Sequence, residues 1–376
     1  MSSQASIPDA DLKSLASIVK RKFDVAIAEG DAFFYPSEKI TLQESESTGI
    51  SWQIRTVLAL LKKPKSADTA PTQQTSKPEQ NKSDVFAPPY VPNLHVTDLG
   101  PDHVLLLNKF CVVPQHFLLV TRTFESQELP PSPATLSLAY RIVSTHRGET
   151  ELLAFYNCGT TSGASQPHRH LQFVQCPPLD TTGSDAIECG RLTAEEQDKI
   201  VESEYKIPVE SLLERIERDG KEQSSVHALP LPWQHFVVLM EPTAAMRKNE
   251  GEMERYVGNK FMGLLDALFR ARMFAGEEGG KRERPAFNVL ITKRAMHLIP
   301  RSKEEYDGLD GKREDGKVGN LLINSLGYAG FMLTRSVEEQ EALKGVEGGV
   351  EEVLRVTGVS PVEDVTVQAG LPTTNI

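Results

Sequence analysis

The window Asn157 to Gln172, NCGTTSGASQPHRHLQ, gathers side chains suited to chemistry at phosphorus. His168, His170 and Gln172 alternate, and in an extended strand residues i, i+2 and i+4 share one face. Two imidazoles and a carboxamide would then stand in a row, with Leu171 and Phe173 turned toward the core. Just upstream, Gly159, Thr160, Thr161, Ser162, Gly163 and Ser165 form a turn rich in small residues and hydroxyls. Such a turn lets backbone N–H groups close around an anion. A neutral imidazole whose other nitrogen is held by an acceptor is a competent nucleophile toward phosphorus. Attack on an α-phosphorus would give a covalent histidyl-nucleotide, and a second phosphate-bearing acceptor would then take the group in ping-pong fashion. Carboxamide and backbone donors would steady the equatorial oxygens. Gln in the third place withholds an imidazole able to donate a proton or activate water, which is compatible with transfer over hydrolysis. On these residues alone, zinc binding and plain structural histidines stay open beside a catalytic role.

The surrounding pattern says which elements must hold that row. ELLAFYNC reads as a strand entering the small-residue turn, and LQFVQC as the strand leaving it. HVLLLNKF and VVPQHFLLVTR read as two further strands, and Ser132-Pro133 opens a helix to about residue 147, with Ser as N-cap and Pro in the first turn. Residues 11 to 28 and 251 to 274 carry apolar residues at helical spacing, and 337 to 356 predicts a last helix. Thr193, with Glu195 and Glu196 behind it, opens a polar helical segment to 218. AFNVLITK and AMHLIPR predict a strand, turn and strand. Residues 64 to 84 hold only Ala67 and Ala70 as apolar residues, too few to offset the entropy of ordering, so this stretch reads as a mobile surface insertion inside a domain.

VPQHFLLV (113 to 120) is similar to PWQHFVVL (232 to 239), and each precedes a long helical segment and a strand, turn, strand unit. The repeated order predicts an α+β protein of two related lobes, antiparallel sheets with packed helices, divided as residues 1–192 and 193–376. His116 and His235 fall in matching strands and read as structural histidines. His297 takes the nucleophile's place in the second copy without the small-residue turn, so it reads as a decayed site. Trp52 and Trp233 read as core, with stacking on adenine as the alternative for either.

Composition narrows the partners. The 376 residues hold 41 Lys plus Arg against 52 Asp plus Glu, a formal charge of −11. That excludes a uniformly basic nucleic-acid binder and requires local donors for any anionic ligand. Four cysteines, Cys111, Cys158, Cys176 and Cys189, form no C-x-x-C pair, so neither a disulfide framework nor a sequence-local zinc site is expected. The chain shows no leader pattern and no apolar run long enough for a membrane span. A cytoplasmic, and also nuclear, location follows as the expectation, and a monomer is expected beside it.

HRHLQ behind SGASQP resembles the active-site motif of the histidine-triad superfamily, in the transferase branch shared with galactose-1-phosphate uridylyltransferase. NKFCVVPQHFLLVTRTFESQ, AFYNCGTTSGASQPHRHLQFV and FNVLITKRAMHLIPRSKEEY are similar to the fungal diadenosine tetraphosphate phosphorylases, also called ATP adenylyltransferases. The resemblance spans most of residues 10 to 360. It implies His170 as the residue that takes AMP, Gln172 as a phosphate ligand, and Gly163, Ala164, Ser165 and Gln166 as a phosphate cradle with Asn157 beside it. Lys63 would reach the polyphosphate, Asn108 and Lys109 would line the same pocket, and Asn288, Lys293, Met296 and Arg301 would close over the substrate from the second lobe. His168 would orient by hydrogen bonding, since the cysteines that hold zinc in the uridylyltransferases have no counterpart; no metal site is expected. The implied reaction is phosphorolysis of diadenosine tetraphosphate to ATP and ADP, with conversion of ADP and sulfate to adenosine phosphosulfate in some members. The implied ligands are diadenosine tetraphosphate, ATP, ADP, AMP and phosphate, with no tightly bound cofactor and a divalent cation such as Mg arriving only with the substrate. A dinucleoside polyphosphate hydrolase and a non-catalytic nucleotide-binding module are the competing readings.

Overall fold

A computed structural model describes residues 9–62, 84–147, 150–176, 207–218, 226–274, 284–310, 312–313 and 316–361. Its centre is one antiparallel sheet of nine strands. In chain order these are β1 (His95–Leu99), β2 (His103–Leu107), β3 (Phe117–Thr121), β4 (Glu151–Cys158), β5 (His170–Cys176), β6 (His227–Ala228), β7 (Phe236–Leu239), β8 (Ala286–Ile291) and β9 (Ala295–Arg301). Across the sheet they run β6, β7, β9, β8, β4, β5, β3, β2, β1. The α+β reading therefore holds, and the internal repeat has a spatial meaning. The first copy contributes β3, β5 and β4, and the second contributes β8, β9 and β7, the same order mirrored about the β4–β8 pair. At that junction Asn157 lies opposite Asn288 and Tyr156 opposite Val289. The two halves thus join edge to edge, because each copy ends in a strand whose unpaired edge the other satisfies.

Alternation along the strands gives the sheet two different faces. One face buries Leu105, Leu119, Leu171, Phe173, Ala154, Tyr156, Val289 and Leu298 under three helices, α1 (Asp9–Ala28), α2 (Pro133–Thr145) and α3 (Glu250–Phe274). Each helix turns an apolar stripe to the sheet. In α1 it is Leu12, Leu15, Val19, Phe23 and Ala26; in α3 it is Met253, Val257, Phe261, Leu264 and Leu268. The helix starts follow local chemistry. Ser132 Oγ accepts from the Thr135 N–H at 3.1 Å with Pro133 next in line, and Asn249 Oδ1 accepts from the Glu252 N–H at 3.1 Å.

The other face is divided. Over the central strands and the second copy it carries Leu153, Phe155, Val174, Val237, Leu290 and Ile299, packed against Trp52, Trp233, Leu213, Phe331 and Leu354. Much of that cover is a three-stranded sheet in which Ser51–Thr56 pairs with both Lys39–Glu44 and Phe331–Thr334. A strand from the first half of the chain thus lies in register with one from the end, so the 192/193 boundary crosses shared sheets. Over the outer strands a smaller apolar patch, Val104, Leu106, Leu118 and Val120, lies beneath Phe86 and Tyr90. Trp52 and Trp233 are core, their rings 6.2 Å apart.

Some expectations shift. The single helix expected over 337 to 356 is two, Val337–Lys344 and Gly349–Thr357, because Gly348 and Gly349 adopt positive φ between them. The helix expected from Thr193 lies outside the described residues as far as 206, after which a 3-10 turn, Pro208–Leu212, leads into Leu213–Arg218. Residues 64–83 also lie outside them. Since the Ser132 cap is intact, Ser132→Ala is expected to lower the unfolding free energy by about 1 kcal/mol. A fall in the urea midpoint with an unchanged slope would show it.

Candidate active site

His170 opens β5 on the sheet face away from the helices, opposite Val120. Two residues on, Gln172 lies on that same face between Leu118 and Phe155. The His170 side chain is almost wholly buried, and its Nδ1–H donates to the His168 carbonyl at 2.8 Å. That bond leaves Nε2 as the nitrogen with an available lone pair. Burial pushes the His170 pKa down to about 4; the backbone acceptor at His168 opposes this, and the neighbouring His168 ring adds to it. The ring is therefore neutral near pH 7, the form that a nucleophile requires.

His168 precedes the strand and pairs only through a bridge with Ser126. Its Nδ1 lies 2.7 Å from Asp84 Oδ2, and its Nε2 lies 2.7 Å from the Thr121 carbonyl and 3.1 Å from the Thr121 hydroxyl. Asp84 is a correction: the last residue of the stretch read as a surface insertion belongs to the site. Gln127 is another residue that sequence reading missed. Its Oε1 accepts the His170 N–H at 2.8 Å, and its Nε2 donates to the carbonyls of Asn157 at 2.8 Å and His170 at 3.3 Å. It ties the ends of β4 and β5 together. Both act across long sequence separations, and no local pattern marks them.

The turn between β4 and β5 is clamped from the second half of the chain. Gly159 and Gly163 both have φ +84°. A Cβ on Gly163 would lie 2.8 Å from Asn324 Cβ and 2.9 Å from the Ile323 carbonyl, so only glycine fits there. Asn157 Oδ1 accepts from Asn288 Nδ2 at 2.8 Å and from Ser325 Oγ at 2.6 Å. Asn288 Nδ2 also donates to the Ser162 carbonyl at 2.9 Å. Arg301 Nη1 donates to Asn288 Oδ1 at 2.7 Å, to the Ile323 carbonyl at 3.0 Å and to the Ser162 carbonyl at 3.2 Å. Its Nε and Nη2 donate to the Thr357 and Lys303 carbonyls. With its carbonyl side so held, the turn leaves the N–H groups of Gly163, Ala164, Ser165 and Gln166 without a protein acceptor among the described residues. They are the donors that a phosphate could use.

Not every expected residue comes to this place. Lys63 lies outside the described residues. Asn108, half-buried, shares a 3.0 Å hydrogen bond with His116 Nδ1 beyond Gln172 along the same face, and Lys109 is exposed with its ammonium over the Phe110 ring. Asn288 and Arg301 stand beside the turn, but Arg301 is spent on protein carbonyls and serves as its clamp. Lys293 is at the β8–β9 hairpin tip, about five residues and roughly 16 Å along the strand from Asn288 at ~3.3 Å per residue. Met296 is buried on the helix-covered face. Alternation sends it through the sheet, away from His170, so both leave the candidate set.

The register also corrects His297. Leu118, two residues after His116, pairs with Gln172, whereas Val237, two after His235, pairs with His297. His297 is thus the counterpart of Gln172, and Ala295, opposite Leu239, takes the nucleophile's place. His297 and His235 are buried and bonded to each other at 3.0 Å. Burial, with His297 alongside, drives the His235 pKa well down.

Two family models match this chain. Residues 8–189 match the family model for the Ap4A phosphorylase N-terminal domain, and residues 229–360 that for the ATP adenylyltransferase C-terminal domain. Diadenosine 5',5'''-P1,P4-tetraphosphate phosphorylase 2 of Saccharomyces cerevisiae is 29% identical over 286 residues, covering 71% of this chain and 75% of that protein. Protein APA1 of the same yeast is 26% identical over 335 residues, covering 86% and 88%. The crystal structure of yeast Ap4A phosphorylase Apa2 in complex with AMP has a TM-score of 0.65 at 23% identity, covering 94% of this chain and 98% of that one. The same enzyme in complex with Ap4A gives 0.62, also at 23% identity, covering 93% and 98%. This is a likeness of fold.

Two outcomes follow from the geometry. A His170 held neutral by burial predicts turnover that stays flat through the ordinary imidazole range near pH ~6.5 and falls only toward about 4, measured as initial rate against pH. Gly163→Ala, strained and crowded at once, is expected to cost about 1–3 kcal/mol of stability and to lower turnover by displacing the turn, read by urea unfolding and steady-state assay together.

Proposed function

We infer that this chain, which belongs to the Ap4A phosphorylase family, cleaves diadenosine tetraphosphate with phosphate to give ATP and ADP, passing the adenylyl group through His170. The observation that carries the covalent route is the buried His170 ring, neutral and with Nδ1–H engaged by the His168 carbonyl. Nε2 is then the atom that attacks an α-phosphorus. A P–N bond forms, the P–O bond breaks, and ATP leaves with the electron pair. The cationic adduct keeps its Nδ1–H on the His168 carbonyl. Phosphate next attacks the same phosphorus, the P–N bond returns its electrons to Nε2, and ADP departs. Run from ADP with sulfate as the acceptor, the same two steps yield phosphate and adenosine phosphosulfate.

Three donor groups support the transfer. The N–H groups of Gly163 to Gln166 point to an anion cradle, Gln172 extends its carboxamide on the His170 face, and Gln127 fixes the backbone between them. The oxygens of a transferring phosphoryl group gain charge in the transition state, and preorganised donors there lower the barrier. Lys63 would add charge at the polyphosphate, and Asn108, beyond Gln172, would meet its distal part. In this reading the substrate runs along the sheet face from the clamped turn, past His170, toward the Asn108–His116 pair. Small nucleotides are its ligands, and among the described residues no helix is long and apolar enough to cross a membrane.

Phosphate dependence tests the reading. With phosphate, ATP and ADP should appear in equal amounts; without it, ATP should stop after one equivalent per enzyme, with an acid-labile, base-stable adenylate on His170. His170→Ala should lose about three orders of magnitude or more of turnover. AMP production without phosphate as fast as turnover with it, and with no ATP burst, would instead indicate a hydrolase, and nucleotide binding with no product a binding module.

A further inference from the structure

A covalent adenylate must survive until phosphate arrives, in water that is far more concentrated than phosphate. Resting on the histidyl route above, we propose that Phe86, held in place by Asp84, shields the adenylated His170 from water and so sets the choice of phosphate over water as acceptor. Phe86 lies far from the motif in sequence, yet its ring centroid is 4.9 Å from that of His170, tilted by 54°. It also meets the His168 ring edge-on at 6.2 Å. Its underside packs with Tyr90 on Val104, Leu106, Leu118 and Val120, the patch that borders the nucleophile on the sheet. An aromatic side chain in this place covers the imidazole with a surface that offers water no partner.

Asp84 makes the placement specific. One carboxylate oxygen, Oδ1, accepts the Phe86 N–H at 3.0 Å, and the other, Oδ2, accepts His168 Nδ1–H at 2.7 Å. The backbone of Phe86 is thereby fastened to the residue whose carbonyl orients His170. Among the described residues, Asp84, Thr121, Phe86 and Phe124 lie against His168, and Phe86 also lies against His170. Asp84 is a positioning residue, since it touches His168 and Phe86 and acts on the reacting atoms through them.

The competing steps are balanced. Phosphate attack on the P–N bond gives ADP and free His170. Water attack on that bond gives AMP, free His170 and a proton. Removing the shield should admit water more than it helps phosphate, because phosphate depends on the donors of the clamped turn rather than on the apolar wall.

The test loads enzyme with adenine-labelled diadenosine tetraphosphate in phosphate-free buffer, then follows ATP release, AMP formation, and ADP formed on a phosphate chase. In the wild type a one-equivalent ATP burst should precede slow AMP release. Phe86→Ala should raise the AMP-to-ADP ratio by about tenfold or more, Phe86→Leu by less, and Asp84→Ala in the same direction. The Leu variant keeps an apolar side chain on the patch and so remains informative if the Ala variant fails to fold. A burst with an unchanged ratio in the Phe86 variants overturns the shield alone. Absence of a burst in the wild type overturns the histidyl route and the shield with it.

Discussion

The hydrogen bond from His170 Nδ1–H to the carbonyl of His168 is the constraint on which the site depends. It decides which ring nitrogen holds a lone pair, and burial keeps that lone pair unprotonated at neutral pH. A histidine in water would satisfy neither condition reliably, because both tautomers interconvert and its pKa lies close to neutrality. The bond is short-range and uses a backbone acceptor, so it needs only that the chain stay extended from 168 to 170. The surrounding structure supplies that extension: Gln127 holds the His170 N–H, the Arg169 N–H donates to the Glu125 carbonyl at 2.7 Å, and Asp84 and Thr121 grip the His168 ring.

The second half of the chain contributes to this site by rigidity. Its mirrored copy of strands places Asn288 against Asn157, and Arg301 reaches through Asn288 to the Ser162 carbonyl. A buried guanidinium is costly unless its donors are met, and here each nitrogen has a protein acceptor. The result is a turn whose carbonyls face inward to fixed donors and whose amides are left for a ligand. The duplicated copy has Ala295 at the position that matches His170, so it repeats the strand without that imidazole.

This division also explains how a chain of charge −11 can hold a polyphosphate. On the proposed reading, the described part of the pocket would rely on backbone amides and a carboxamide, which carry partial positive charge without a counter-ion to displace. Such donors are effective because they are already oriented when the ligand arrives, so little reorganisation opposes binding. Arg301 and Lys293, the basic residues expected from the second half, lie respectively inside the scaffold and at a hairpin tip.

The amino-acid sequence by itself determined the α+β class, the duplication, the Ser132 cap, and the alternation that puts His170 and Gln172 on one face. These are local properties, set by periodicity and by neighbours a few residues apart. It also singled out the small-residue turn, since glycine at positive φ is a local demand. Tertiary structure alone decided the rest. Asp84, Phe86 and Gln127 meet the catalytic strand across long stretches of chain, and Met296 leaves the site through a one-residue difference in alternation. The role of His297 turns on strand register, and Arg301 becomes a clamp because Asn288 and the Ser162 carbonyl lie within its reach. Pairing register and long-range side-chain contacts arise only when the sheet closes, and no spacing in a single sequence encodes them.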